Sequence, residues 1–118
     1  MAKESRVNAN EERSLTRPGI HTGYKTVADY RIYLEWENGY QEVRFRIEET
    51  TKGYFEFTQS HFIKTPLQGG PYRTSVSRDE TADGALQRAT RTILEYYNEA
   101  ISKGYPPTAD WFVKNKNY

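Results

Sequence analysis

Residues 28–49 read ADYRIYLEWENGYQEVRFRIEE, two alternating runs of apolar and polar side chains that meet at Asn38-Gly39. A period of two marks a half-buried strand, and Asn-Gly suits the two positive φ angles of a type I′ hairpin turn. With Asn38 and Gly39 as the turn, Trp36 faces Gln41, Leu34 faces Val43, Ile32 faces Phe45 and Tyr30 faces Ile47 on one side of the ribbon. That side is nearly all apolar and is expected to be buried. The other side pairs Glu37 with Tyr40, Glu35 with Glu42, Tyr33 with Arg44 and Arg31 with Arg46, and is expected to meet water. A slip of one residue would bury Arg31 and Glu35 and expose Ile32 and Leu34, so the faces are strongly specified.

Beyond this hairpin, expected over 28–37 and 40–49, the segment 50–53 makes a second connection to a strand at 54–60. There Phe55, Phe57 and Gln59 point to the core and Tyr54, Glu56 and Thr58 away from it. Residues 61–71 hold Pro66, Gly69, Gly70 and Pro71 and read as a loop, because an interior strand does not tolerate such breakers. Alternation returns over 72–78 and predicts a fourth strand. From Thr81 the period changes: Ala82, Ala85, Leu86, Ala89, Ile93, Tyr96, Tyr97, Ala100 and Ile101 fall on one helical face. Thr81 or Asp79 can cap this helix, and Lys103-Gly104 with Pro106-Pro107 stops it. Thr108 can cap a further turn over 109–113, whose Trp111 and Phe112 are too apolar to leave in water. The expected fold is therefore α+β: a four-stranded antiparallel meander followed by one long amphipathic helix packed on one face, then a short C-terminal helical turn.

The chain has 118 residues, enough for one core, and the expected organisation is a flexible tail over 1–18, one domain over 19–113 and a frayed end over 114–118. A short helix near Asn10 to Leu15 and a weak edge strand over 20–27 fit the polar N-terminal part. Lys and Arg number 17 against 16 Asp and Glu, for a net charge of +1, and this balance argues against a strongly basic nucleic-acid domain. Cysteine is absent, which excludes disulfides, thiolate metal sites and a cysteine nucleophile. No apolar run near the start reads as a secretory signal or membrane anchor, so a cytoplasmic setting with no membrane partner is expected.

Catalytic chemistry finds little support. His21 and His61 have no neighbouring ligand at strand or helix spacing, and Gly69-Gly70 lacks the lysine and helix of a phosphate-binding loop. Glu35, Glu37, Glu42 and Glu56 share a sheet face with arginines, so ion pairing on a solvated surface explains them more simply than an acid and base pair. No enzyme, cofactor or metal site is expected. The polar sheet face instead offers Arg31, Tyr33, Tyr40, Arg44, Arg46, Tyr54 and Arg73, where rings stand among guanidinium groups that can stack bases and hold phosphates. Against this, Glu35, Glu37, Glu42, Glu48 and Glu56 outnumber the face's arginines. Trp111 and Phe112 are candidate anchors of a homodimer interface.

In the order of its elements alone, the stretch from Ala28 to Lys103 resembles the Whirly and transcriptional-cofactor class of single-strand DNA binders. That resemblance implies dimers formed through sheet and helix, and single-stranded nucleic acid as a partner. The lysine-glycine-lysine signature of Whirly proteins is absent, so no binding residue is carried over. The expectation is a small non-catalytic binding or assembly domain, with single-stranded nucleic-acid binding as the alternative.

Overall fold

In the computed structural model, which describes residues 6–118, β1 (Tyr24–Trp36) and β2 (Gly39–Thr50) form the expected antiparallel hairpin. Its register differs by two residues from the Asn-Gly expectation. Trp36 pairs with Gly39, Leu34 with Gln41, Ile32 with Val43 and Tyr30 with Phe45, so Glu37 and Asn38 make the turn. Neither Asn38 nor Gly39 has a positive φ, which rules out type I′. Gly39 serves close approach instead: a Cβ there would lie 3.1 Å from Trp36 Nε1, and Trp36 stacks in parallel on Phe112, centroids 6.2 Å apart. A shift of two preserves both faces and changes every cross-strand partner. Arg31 consequently faces Arg44 and no longer Arg46.

The sheet continues through β3 (Phe55–Gln59), and the four-stranded order is completed by a very short strand, Arg78–Asp79. Phe55, Phe57 and Gln59 are buried as their alternation demands. Two expectations fail between these strands. His61–Ile63, read as loop, is β4, and it pairs with a C-terminal strand, Phe112–Lys114, in a separate two-stranded sheet. The short strand Arg78–Asp79 is β5, and Phe112–Lys114 is β6. Residues 72–77, read as a strand, are irregular, because Tyr72 is drawn elsewhere: its N–H bonds to Ile63 O at 2.9 Å and its ring meets Tyr96 at 4.8 Å. Gln68 stitches the loop between them, accepting from Thr65 N and donating to Ile63 O.

Helix α1 covers Ala9–Leu15 and α2 covers Ala82–Ser102. Thr81 caps α2, its side chain accepting from Gly84 N at 2.9 Å, while Asp79 pairs with Arg88. Ala85, Ala89, Ile93, Tyr97 and Ala100 face the sheet and are buried with Val43, Phe45, Ile47, Phe55 and Ile63. Small alanines in the first half allow close approach, and Tyr97 fills the wider space below Trp111 and Phe112. The expected helical turn at 109–113 is a 3-10 turn over Ala109–Trp111 that passes directly into β6.

Contacts of α2 run to β2, β3, β4 and β5, which leaves β1 largely outside its footprint. The molecule measures 52 × 31 × 22 Å, and its radius of gyration of 16.7 Å exceeds the roughly 13–14 Å of a compact chain this size. The long hairpin accounts for the elongation, since β1 has 13 residues. Between Thr26 and Ala28 the register shifts by one residue, with Val27 as the extra residue of a bulge. Lys25 and Glu49 therefore share the inner face at this end.

Of the tail expected over 1–18, residues 1–5 lie outside the described residues. Part of the rest is engaged: the Asn8 side chain accepts from Glu11 N, and Glu11 accepts from Asn8 N and from Lys25 Nζ. Glu49 accepts hydrogen bonds from the backbone N–H groups of Arg6 and Val7. The end over 114–118 likewise carries contacts that a frayed segment lacks. Asn115 N donates to Ser60 O and its Nδ2 to Gln59 O, and Tyr118 lies against Arg46.

Candidate functional site

Because side chains alternate along a strand, Asp29, Arg31, Tyr33 and Glu35 of β1 share the outer face with Glu42, Arg44 and Arg46 of β2. Arg31 stands directly across from Arg44, and like charges so placed repel. Two arginines of the group have acids nearby: Arg44 Nε donates to Glu42 Oε1 at 2.9 Å, and Arg46 Nε lies 3.6 Å from Asp29 Oδ1. The bond to Glu42 raises the Arg44 pKa further above its ordinary value. Arg31 has no ion-pair partner among the described residues.

These three arginines line one open hollow of about 420 Å³, together with Asp29, Tyr30 and Tyr118. The guanidinium of Arg46 sits 4.6 Å from the centre of the Tyr118 ring, an attraction worth about 0.5–1 kcal/mol at an exposed site. Tyr33 and Tyr40 lie further along the same face toward the turn, 49% and 65% exposed, with ring centroids 6.0 Å apart. Five of the expected surface residues thus fall on one face of one hairpin. Tyr118 joins them without any sequence signal, since only the docking of residues after β6 brings it there.

Two other expected residues stand apart. Tyr54 is at the opposite end of the sheet, where Arg78 lies 4.9 Å from its ring centre. The outer face there is acidic: Glu48 pairs with Glu56 across β2 and β3, and the Glu56 charge raises the pKa of the Tyr24 hydroxyl. Arg73 lies over the Phe62 ring at 4.3 Å, because the segment expected to carry it on the sheet is not a strand. Trp111 and Phe112 are corrected as interface anchors. They are 4% and 8% exposed and are used inside the chain against Tyr97 and Trp36.

His61 approaches a reactive arrangement most closely. Its Nδ1 is 2.8 Å from Ser60 Oγ, and its Nε2 is 3.4 Å from Gln41 Nε2. Ser60 Oγ also accepts from Arg44 N at 2.8 Å, so the pair ties β2 to the junction of β3 and β4. No carboxylate hydrogen-bonds to the ring among the described residues, and a base without an orienting partner is poorly placed for nucleophilic catalysis. Among the described residues no group of three or more His, Asp or Glu side chains is disposed to hold a metal ion.

Burial, aided by the Lys114 charge, lowers the His61 pKa from its ordinary 6.5. The unfolded chain then binds a proton at a pH where the folded chain does not, so stability falls as pH drops below about 6.5. Thermal unfolding between neutral pH and pH ~5.5 should show a steeper loss for the wild type than for His61→Gln. Equal slopes for the two proteins would remove His61 from the acid response.

No helix among the described residues is long and apolar enough to cross a membrane. No protein family, curated protein or solved structure matches the chain, so the Whirly-like order of elements gains no support from those comparisons.

Proposed function

We propose that this chain is a small non-catalytic binding domain that works through the outer face of the β1–β2 hairpin. Its ligand presents negative charge beside a flat ring. The observation that carries this reading is the gathering of Arg31, Arg44 and Arg46 around one open hollow, with Asp29 and Glu42, alone among the described residues, paired against them. An anion in the hollow would relieve the repulsion between Arg31 and Arg44. Arg46 already holds the Tyr118 ring, the kind of contact that a base or other aromatic group makes.

Single-stranded nucleic acid is the second reading, favoured by the exposed Tyr33 and Tyr40 rings next along the face. The acidic end at Glu48 and Glu56 limits such a strand to the hairpin. A cytoplasmic setting belongs to the same proposal and is supported by the absence of cysteine.

Nuclear magnetic resonance titration of the full chain at low salt, with adenosine monophosphate and with a short oligothymidylate, tests both readings. Shifts of the Arg31, Arg44 and Arg46 Nε–H signals are expected. Replacing Arg44 and Arg46 together by alanine should lower the salt dependence of oligonucleotide binding by roughly 1.4 in slope, as two phosphate contacts are lost. If neither compound moves these signals, the anion reading is wrong. Binding of the nucleotide without tighter binding of the strand keeps the first reading and removes the second.

A further inference from the structure

We infer that two copies of this chain pair antiparallel along β1, in the register that sets Tyr33 opposite Tyr33 of the partner. The four-stranded sheet has β1 at one border, and α2 does not cover it. Ser60 N donates to Arg44 O and Thr50 N to Tyr54 O, so even-numbered residues of β2 turn their backbone groups toward β3. Odd-numbered residues of β2 then bond to β1 through its even-numbered residues. The N–H and C=O groups of Asp29, Arg31, Tyr33 and Glu35 are left pointing outward along a border that no other strand among the described residues occupies.

Such a border is a ready template for another strand, and proteins that avoid pairing blunt it with charged side chains, proline, bulges or a cover. The charges on this one, Asp29, Arg31 and Glu35, are of both signs and can pair across a two-fold. From Ala28 to Trp36 β1 has no proline, and its bulge lies before this stretch, at Val27. The inner side also invites continuation: Tyr30 is 44% exposed, and Ile32 and Trp36 are only partly buried.

Charge selects the occupant and the register. Among the described residues neither Arg31 nor Glu35 has an ion-pair partner within the chain. With Tyr33 at the two-fold axis, Arg31 faces the partner's Glu35, and the symmetric contact repeats the pair. On the inner side Ile32 then meets the partner's Leu34, and Tyr30 meets the partner's Trp36. Centring on Arg31 would instead oppose two arginines, and centring on Ile32 would oppose Asp29 and Glu35 twice. In the chosen register Asp29 faces the partner's Glu37, again twice, but at the fringe, where Glu37 lies in the turn and Arg46 Nε lies 3.6 Å from Asp29 Oδ1.

This pairing uses the border of β1 and needs no ligand; it shares Arg31 with the anion site, and a test without ligand keeps its failure distinguishable from failure of that site. Sedimentation velocity of the full chain, without ligand and from micromolar to millimolar concentration, should show a dimer. Arg31→Glu and Glu35→Arg should each weaken it by roughly tenfold or more, because both symmetry-related pairs turn repulsive together. An equimolar mixture of the two variants, and the double variant R31E/E35R, should restore it. Circular dichroism checks that each variant is folded, and hydrogen exchange of the Arg31, Tyr33 and Glu35 amides in the wild type should slow as concentration rises. A monomeric wild type, a dimer indifferent to either charge reversal, or failure of the mixture to reassociate overturns the inference.

Discussion

Replacing Trp111 by alanine is expected to cost about 3–5 kcal/mol of stability, the range for truncating a large buried aromatic side chain. The indole is 4% exposed and meets Tyr97 nearly edge-on, ring centroids 5.9 Å apart. Its backbone oxygen accepts from Lys64 N at 2.7 Å, so the chain is held in place and cannot easily collapse into the cavity. Urea unfolding followed by circular dichroism measures the cost. A loss below about 1 kcal/mol, the level of an ordinary surface change, would place the ring outside the core. That result would return Trp111 to the role of interface anchor.

Gln59→Leu should be the most damaging change to a polar side chain in the sheet, at about 1–3 kcal/mol, the penalty of leaving buried groups unpaired. Gln59 is 4% exposed; its Nε2 donates to His61 O at 2.8 Å and its Oε1 accepts from Thr92 Oγ1 at 3.2 Å. One amide thus joins β3, the start of β4 and the buried face of α2. Leucine matches its bulk and satisfies neither group. Thr92 can still donate to Ala89 O at 2.7 Å, so most of the loss falls on the His61 carbonyl. Equal midpoints for wild type and Gln59→Leu in urea would mean that water replaces the amide at both points.

What local pattern controls was legible in the sequence. The period-two runs gave the inner and outer faces of the hairpin, and the period near 3.6 gave α2 with its cap and its Gly104 stop. What distant packing controls was not. The hairpin register follows the Trp36 indole, which lies over Gly39 and against Phe112, a residue far along the chain. The strands β4 and β6 have three residues each, too few to show a period, and they form only through each other. Alternation over 72–77 is real but unused, since Tyr72 packs on Tyr96. The candidate site divides the same way. Arg31, Tyr33, Tyr40, Arg44 and Arg46 share a face because strand geometry requires it, whereas Arg73 leaves and Tyr118 arrives through loops whose paths no local signal sets.

Phe112 bears on the cooperativity of the whole. Its ring stacks on Trp36 at the hairpin end and meets Tyr97 on α2, while its strand pairs with β4. Opening β6 therefore exposes the end of the first strand, the C-terminal half of the long helix and the turn out of β3 at once. A strand of only three residues thus couples elements far apart in sequence, so partial unfolding from that end gains little chain entropy before the core is lost.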